Sequence, residues 1–125
     1  MFKKIRNILR RPKRNRAAYK KYKETARALV KSRIAYYNAR YQCTVNRIAI
    51  KNSKTRWGSA SKKGNLNFHY KIALLEPLLA DYVIVHELCH LKEFNHSKQF
   101  WQLVALAVPN HKEVRKKLKN LSLWS

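Results

Sequence analysis

His86, Glu87 and His90 form an H-E-x-x-H sequence, and His96 follows six residues later. Imidazoles and a carboxylate in that order are the materials of a hydrolytic metal site. On a helix, positions four apart differ by only about 40° and by one turn, so both imidazoles leave the same face and can reach one ion. Glu87 falls on the flank of that pair, beside the ion without ligating it, where it can take a proton from water. Glu93-Phe94-Asn95 reads as a tight connection that swings His96 back to complete the set. Three protein ligands leave a fourth position open, which is the mark of catalytic rather than structural zinc. The expected chemistry is metal-assisted hydrolysis, with Zn2+ as cofactor, Glu87 as general base and an amide bond as the first target.

The element that must carry these groups is a helix. Pro77 is suited to its first position, and the helical pattern runs to about Lys92. Ile84, Leu88 and Leu91 form a stripe nearly opposite the two histidines. Leu79, Tyr82, Val83 and Val85 make the segment apolar almost all round, as in a central buried helix. Two histidines at this spacing can be ordinary surface residues. Here they interrupt an apolar helix, where buried polar groups need partners, and a metal satisfies them together. His69 and His111 remain over. The first reads as a strand-face residue and the second as a helix-start residue.

Around this helix the pattern predicts an α+β domain. Helical spacing runs from about Arg14 to Asn38, with Tyr22, Ala26, Leu29, Arg33 and Tyr36 or Tyr37 on one face. Three strand signals follow: a β-branched run over 43–50, the segment 54–60, and the alternation of Leu66, Phe68 and Tyr70 after a Lys63-Gly64-Asn65 turn. Together they suggest a small antiparallel sheet. Beyond the histidines, Ser97 is placed to cap a helix with Phe100, Leu103, Val104 and Ala107 on one face. Asn110 with Glu113 resembles a capping box for a last helix, whose stripe is Val114, Leu118 and Leu121.

The chain of 125 residues suits one domain, read as 17–125 behind a basic arm of residues 1–16. Phe2, Ile5, Ile8 and Leu9 hint at a short amphipathic turn within the arm. The arm is also faintly like a transit peptide, and the plain alternative is a frayed tail. With 29 Lys and Arg against 6 Asp and Glu, the formal charge is +23, a field that attracts polyanions. Nucleic acid, ribosomes, anionic membrane and acidic proteins are all candidate partners; a solvated basic surface is the bland reading. No apolar run approaches the ~20 residues of a membrane span, and no secretory signal is evident. Cys43 and Cys89 are too few for a disulfide framework, which fits a reducing, cytoplasmic setting. Cys89 reads as a small core residue.

The segment from Arg56 to Trp101 resembles the YgjP-like metallopeptidase family, predicted metal-dependent hydrolases related to the SprT-like proteins. The resemblance is carried by Arg56-Trp57-Gly58-Ser59, Asn65-Leu66-Asn67, Pro77, the run from Asp81 to Leu91, Asn95-His96-Ser97 and Phe100-Trp101. It implies a zincin-like fold: a small antiparallel sheet beside an active-site helix, here with a basic N-terminal helix and two C-terminal helices. It also implies His86, His90 and His96 as zinc ligands and Glu87 as catalytic acid/base. By analogy with zincins, residues 65–70 would line the cleft, their edge open to an extended peptide. Trp57 reads as a packing residue, with Arg56 and Ser59 as candidates to face the cleft. Two features depart from the family: Ala60 stands where relatives often have Cys, and a basic helix takes the place of additional N-terminal sheet.

A peptide or protein is thus the expected substrate. Two alternatives follow from the charge: a nucleic-acid-associated protein with a structural or vestigial zinc site, and a protease acting on nucleic-acid-bound proteins. Glu87 speaks against a purely structural site, which has no use for a carboxylate beside an open position.

Overall fold

The computed structural model describes residues 15–121 and 123; the predicted arm therefore lies almost wholly outside the described residues. The order of elements is α1 (Arg16–Tyr41), β1 (Arg47–Lys51), β2 (Gly58–Ala60), β3 (Asn65–His69), a 3-10 turn (Tyr70–Leu74), α2 (Pro77–Cys89), α3 (Lys98–Ala107) and α4 (His111–Lys119).

Local chemistry sets most boundaries. Asn15 caps α1 by accepting from the Ala18 N–H at 3.0 Å, and the helix stops where Gln42 turns left-handed at φ 54°. Pro77 occupies the first turn of α2, where its missing N–H costs no helical bond. Ser97 caps α3 by accepting from the Phe100 N–H at 3.3 Å. The capping box expected at α4 does not form. Asn110 is the N-cap residue, but its side chain makes no cap bond, and the Glu113 and Val114 N–H groups bond to its carbonyl instead. Helix α2 also ends earlier than its pattern suggests. His90 is the cap, and residues 90–92 tighten into turns, with Leu91 N–H donating to the Leu88 carbonyl.

The sheet corrects the antiparallel expectation. Its order is β1-β3-β2, with β2 antiparallel to β3 but β1 parallel to it, Ile48 opposite Leu66 and Ile50 opposite Phe68. The β2–β3 pair is an ordinary hairpin, closed where Gly64 takes φ 86°. A Cβ on Gly64 would stand 2.8 Å from the Thr44 carbonyl oxygen, so both conformation and space require glycine. Residues 52–57 carry the chain away from β1, so β1 docks on the free side of β3. Consequently β3 is the central strand and has no open edge, contrary to the expected role of 65–70 as a peptide-pairing edge. The edge strand on the other side is β2.

The core collects Ala26, Val30 and Ile34 of α1, Leu66 and Phe68 of β3, Ile72 of the 3-10 turn, and the apolar faces of α2 and α3. Polar ties fix α1 against this core. Arg33 makes a two-pronged contact with Asp81 of α2 at 3.0 and 2.8 Å, and Tyr37 donates to the same carboxylate at 2.7 Å. Tyr41 donates to the Leu103 carbonyl of α3 at 2.6 Å. The basic helix is thus bolted to the back of the element that carries the histidines. Cys43 and Cys89 are both free, and Cys89 is fully buried in the core. Among the described residues no helix is long and apolar enough to cross a membrane.

Candidate metal centre

Helix α2 is buried on nearly every side, and apart from Asp81 the charged and imidazole groups of the helix and its C-cap lie at its C-terminal end. His86 is half-buried there, Glu87 is buried, and His90 closes the helix as its cap. The turn through residues 91–95 then reverses the chain, and His96 returns over the helix end immediately before the Ser97 cap.

One ligand-type nitrogen from each of His86, His90 and His96 falls within 4.8 Å of the others, a group able to hold a metal ion. His90 Nε2 and His96 Nε2 are 2.9 Å apart. Nδ1 of His90 lies 3.3 Å from the Glu93 carbonyl oxygen. In the tautomer that donates there, Nε2 of His90 is left as a free base. Such an outer bond is the usual way of orienting a ligating imidazole. Two ring nitrogens this close need a proton or a cation between their lone pairs. The contact is slightly shorter than the about 3.3 Å separating two nitrogens on a tetrahedral zinc with ordinary bond lengths. The donor set therefore fits a nitrogen-preferring divalent ion. His90 and His96 both have lowered pKa values, first because burial disfavours the charged ring and next because His86 stands beside them. Neutral imidazole is the form that binds metal.

Aromatic rings hold the imidazoles in place. Phe100 stacks on His90 with centroids 4.5 Å apart and meets His86 edge-on at 5.1 Å. Trp101 stacks on His96 at 5.7 Å and on its other neighbour, His111, at 5.1 Å. His111 is thus one ring removed from the cluster. His69 takes no part: it is buried, accepts from the Lys71 N–H through Nδ1 and contacts the Ser53 carbonyl through Nε2.

Glu87 projects beside the cluster, its Oε2 3.2 Å from His86 Nδ1. It borders a cleft of about 280 Å3 whose walls include Arg56, Trp57, Gly58 and Tyr82, with Arg115, Leu118 and Leu121 opposite. Arg56 faces the cleft as the sequence suggested. Ser59 instead accepts a bond from the Asn67 side chain at 3.1 Å. Trp57 both packs, edge-on to His69, and lines the cleft. Burial pushes the Tyr82 hydroxyl up to about 12, so it stays protonated at neutral pH.

Three participants were given no role at the site by sequence reasoning. Gly58 lies against Glu87, Trp101 shelves His96, and Arg115 of α4 reaches the cleft. Phe100 and Trp101 carried a readable signal, since the Ser97 cap places them on the first turn after His96. The stripe of α4 was legible, and its Leu118 and Leu121 do line the cleft, but nothing in the sequence places Arg115 beside them there.

A family model described as YgjP-like, metallopeptidase domain, matches residues 4–121. The chain belongs to the YgjP-like metallopeptidase family. Membership brings a metal cofactor and peptide hydrolysis as the family's chemistry. Solved structures similar in fold to this YgjP-like chain include two metallopeptidase zymogens. Abylysin of Pyrococcus abyssi has 24% identity and a TM-score of 0.67, over 73% of this chain and 92% of that one. Jannalysin of Methanocaldococcus jannaschii has 23% identity and a TM-score of 0.63, over 73% of this chain and 94% of that one. These likenesses concern the fold. No curated protein sequence matches the chain.

Proposed function

We propose that this YgjP-like protein is a zinc-dependent metallopeptidase in which His86, His90 and His96 hold the ion and Glu87 is the general base. The observation that carries the reading is the gathering of three imidazole nitrogens within 4.8 Å, with a buried carboxylate on the flank of the same helix turn. A bound zinc supplies Lewis acidity at neutral pH.

The chain's own residues do the rest. Burial lowers the pKa values of His90 and His96, which favours the neutral, metal-binding form of both rings. Glu87 accepts a proton from the attacking water and returns it to the departing amine nitrogen, so one carboxylate serves as base and then acid. The edge strand β2 runs beside Glu87, and its outer side, unpaired among the described residues, suits an extended peptide added as a further strand. Residues 17–125 form the catalytic domain behind the basic arm of residues 1–16. Two unpaired cysteines fit a cytoplasmic setting.

The test is Glu87→Gln, assayed for zinc content and for cleavage of an unstructured protein substrate. The variant should keep about one zinc per chain and lose at least about a hundredfold in turnover. Undiminished turnover in the variant removes Glu87 from the mechanism. A wild-type chain that takes up no divalent metal removes the whole reading.

A further inference from the structure

Beyond the cleft, helices α3 and α4 enclose a surface groove of about 650 Å3. Each helix lines it with one stripe at the same spacing: Lys98, Trp101, Gln102 and Ala105 from α3, and Lys112, Arg115, Lys116 and Lys119 from α4, with His111 beside the second stripe. Positions i, i+3, i+4 and i+7 share one helix face, so this is a built surface and not a scatter of basic residues. Among the described residues no carboxylate lines the groove. Glu113 lies outside the stripe, about 100° round the helix from Lys112. Among the described residues none of these five cations forms an ion pair. Arg115 and Lys119 line both this groove and the cleft beside His86 and Glu87, so the two adjoin along α4.

We infer that this groove is a substrate subsite for acidic side chains, selecting peptides with a cluster of Asp or Glu on one side of the scissile bond. The inference rests on the peptidase reading above and names its substrate class. The α4 stripe is about 10 Å long at helical rise, which matches about three residues of extended peptide. A peptide whose backbone reaches Glu87 and whose flanking residues continue past Arg115 would place two or three carboxylates among four or five lysine and arginine heads. The lining argues against single-stranded nucleic acid, which needs free aromatic faces for its bases. Trp101 is already stacked on His96 and His111 and lies under the Arg115 guanidinium at 5.3 Å.

The experiment uses the full chain as Glu87→Gln, so that binding is read without cleavage. Fluorescence anisotropy compares a fluorescein-labelled peptide carrying a run of glutamates with the same peptide bearing glutamines. The acidic peptide should bind at least about tenfold more tightly. Adding Lys112→Glu with Lys116→Glu should abolish that preference. Lys20→Glu with Lys31→Glu, an equal charge change on exposed α1 positions, should preserve it. If the first pair unfolds the chain by circular dichroism, Lys112→Gln with Lys116→Gln replaces it. Equal binding of the two peptides, equal loss in both double variants, or tighter binding of an oligo-dT that displaces the peptide would each overturn the inference. Turnover by the wild type without acid preference sinks this inference alone. Acid preference without any turnover sinks the peptidase reading and leaves the groove as a site for acidic peptides that are not cleaved.

Discussion

Gly58 of β2 lies so close to Glu87 of α2 that a Cβ on the glycine would stand 2.9 Å from Glu87 Cγ and 3.0 Å from Oε2. The same Cβ would be 3.2 Å from the Asn67 carbonyl oxygen, so it could not retreat toward β3. The bare backbone of the edge strand therefore sets where the carboxylate rests. Its φ is not in the left-handed region, so the constraint is space and not backbone strain.

Gly58→Ala should leave zinc binding intact and displace the Glu87 carboxylate. A misplacement approaching 1 Å costs on the order of a hundredfold in rate. The expected result is a fall in kcat of about 10- to 100-fold with a smaller change in KM, measured by peptide cleavage beside metal analysis. Wild-type kcat in this variant would show that the close approach has no bearing on catalysis.

His96→Ala should weaken zinc binding by at least about a hundredfold, because it removes one of the three proposed ligands. His111→Ala, one ring further out, should change affinity by less than about tenfold, the low end for groups that only orient ligands. Competition against a chromogenic chelator measures both. Equal losses would place His96 outside the ligand set.

The Arg33–Asp81–Tyr37 cluster anchors α1 to α2 with three short bonds to one carboxylate. Asp81→Asn keeps the shape and removes the charge, leaving a guanidinium facing a neutral amide. Hydrogen bonds to charged groups contribute about 1.5–3 kcal/mol, and Arg33 is partly solvated, so a loss of about 1–3 kcal/mol is expected. Urea unfolding at neutral pH reads this directly. An unchanged midpoint would mean that packing alone holds the two helices.

Burial of His69 pushes its pKa down to about 4, against the bond to Ser53, which acts the other way. The unfolded imidazole titrates near 6.5, so between these values the unfolded chain binds more protons than the folded one. Stability from this group is complete above about pH 6.5 and is lost progressively as pH falls toward 4. At about pH 5 the loss should be on the order of 2 kcal/mol. His69→Gln should be less stable at neutral pH and show a flatter decline from about pH 7 to pH 5. Parallel stability curves for the two proteins would exclude His69 as the titrating group.

Much of the local structure was legible because it depends on neighbours in sequence. The 3.6-residue period puts His86 and His90 on one face of α2 whatever surrounds it. Pro77, Asn15 and Ser97 start their helices through bonds or constraints spanning three residues, and Gly64 marks its turn through conformation. The capping box at Asn110 was read from the same kind of signal and did not form, because backbone bonds from Glu113 and Val114 already satisfy that helix start.

The sequence by itself determined which residues could do chemistry and that two of the imidazoles share a helix face. Tertiary structure decided the rest: how closely the returning His96 meets His90, the Gly58 contact on Glu87, the parallel docking of β1 that makes β3 central, and the reach of Arg115 from α4 to the cleft. The physical reason is range. Period, caps and turns are fixed within a few residues by covalent geometry and short bonds. Which surfaces meet is chosen by burial, which is non-directional and sums over the whole chain, so it leaves no mark at any single position.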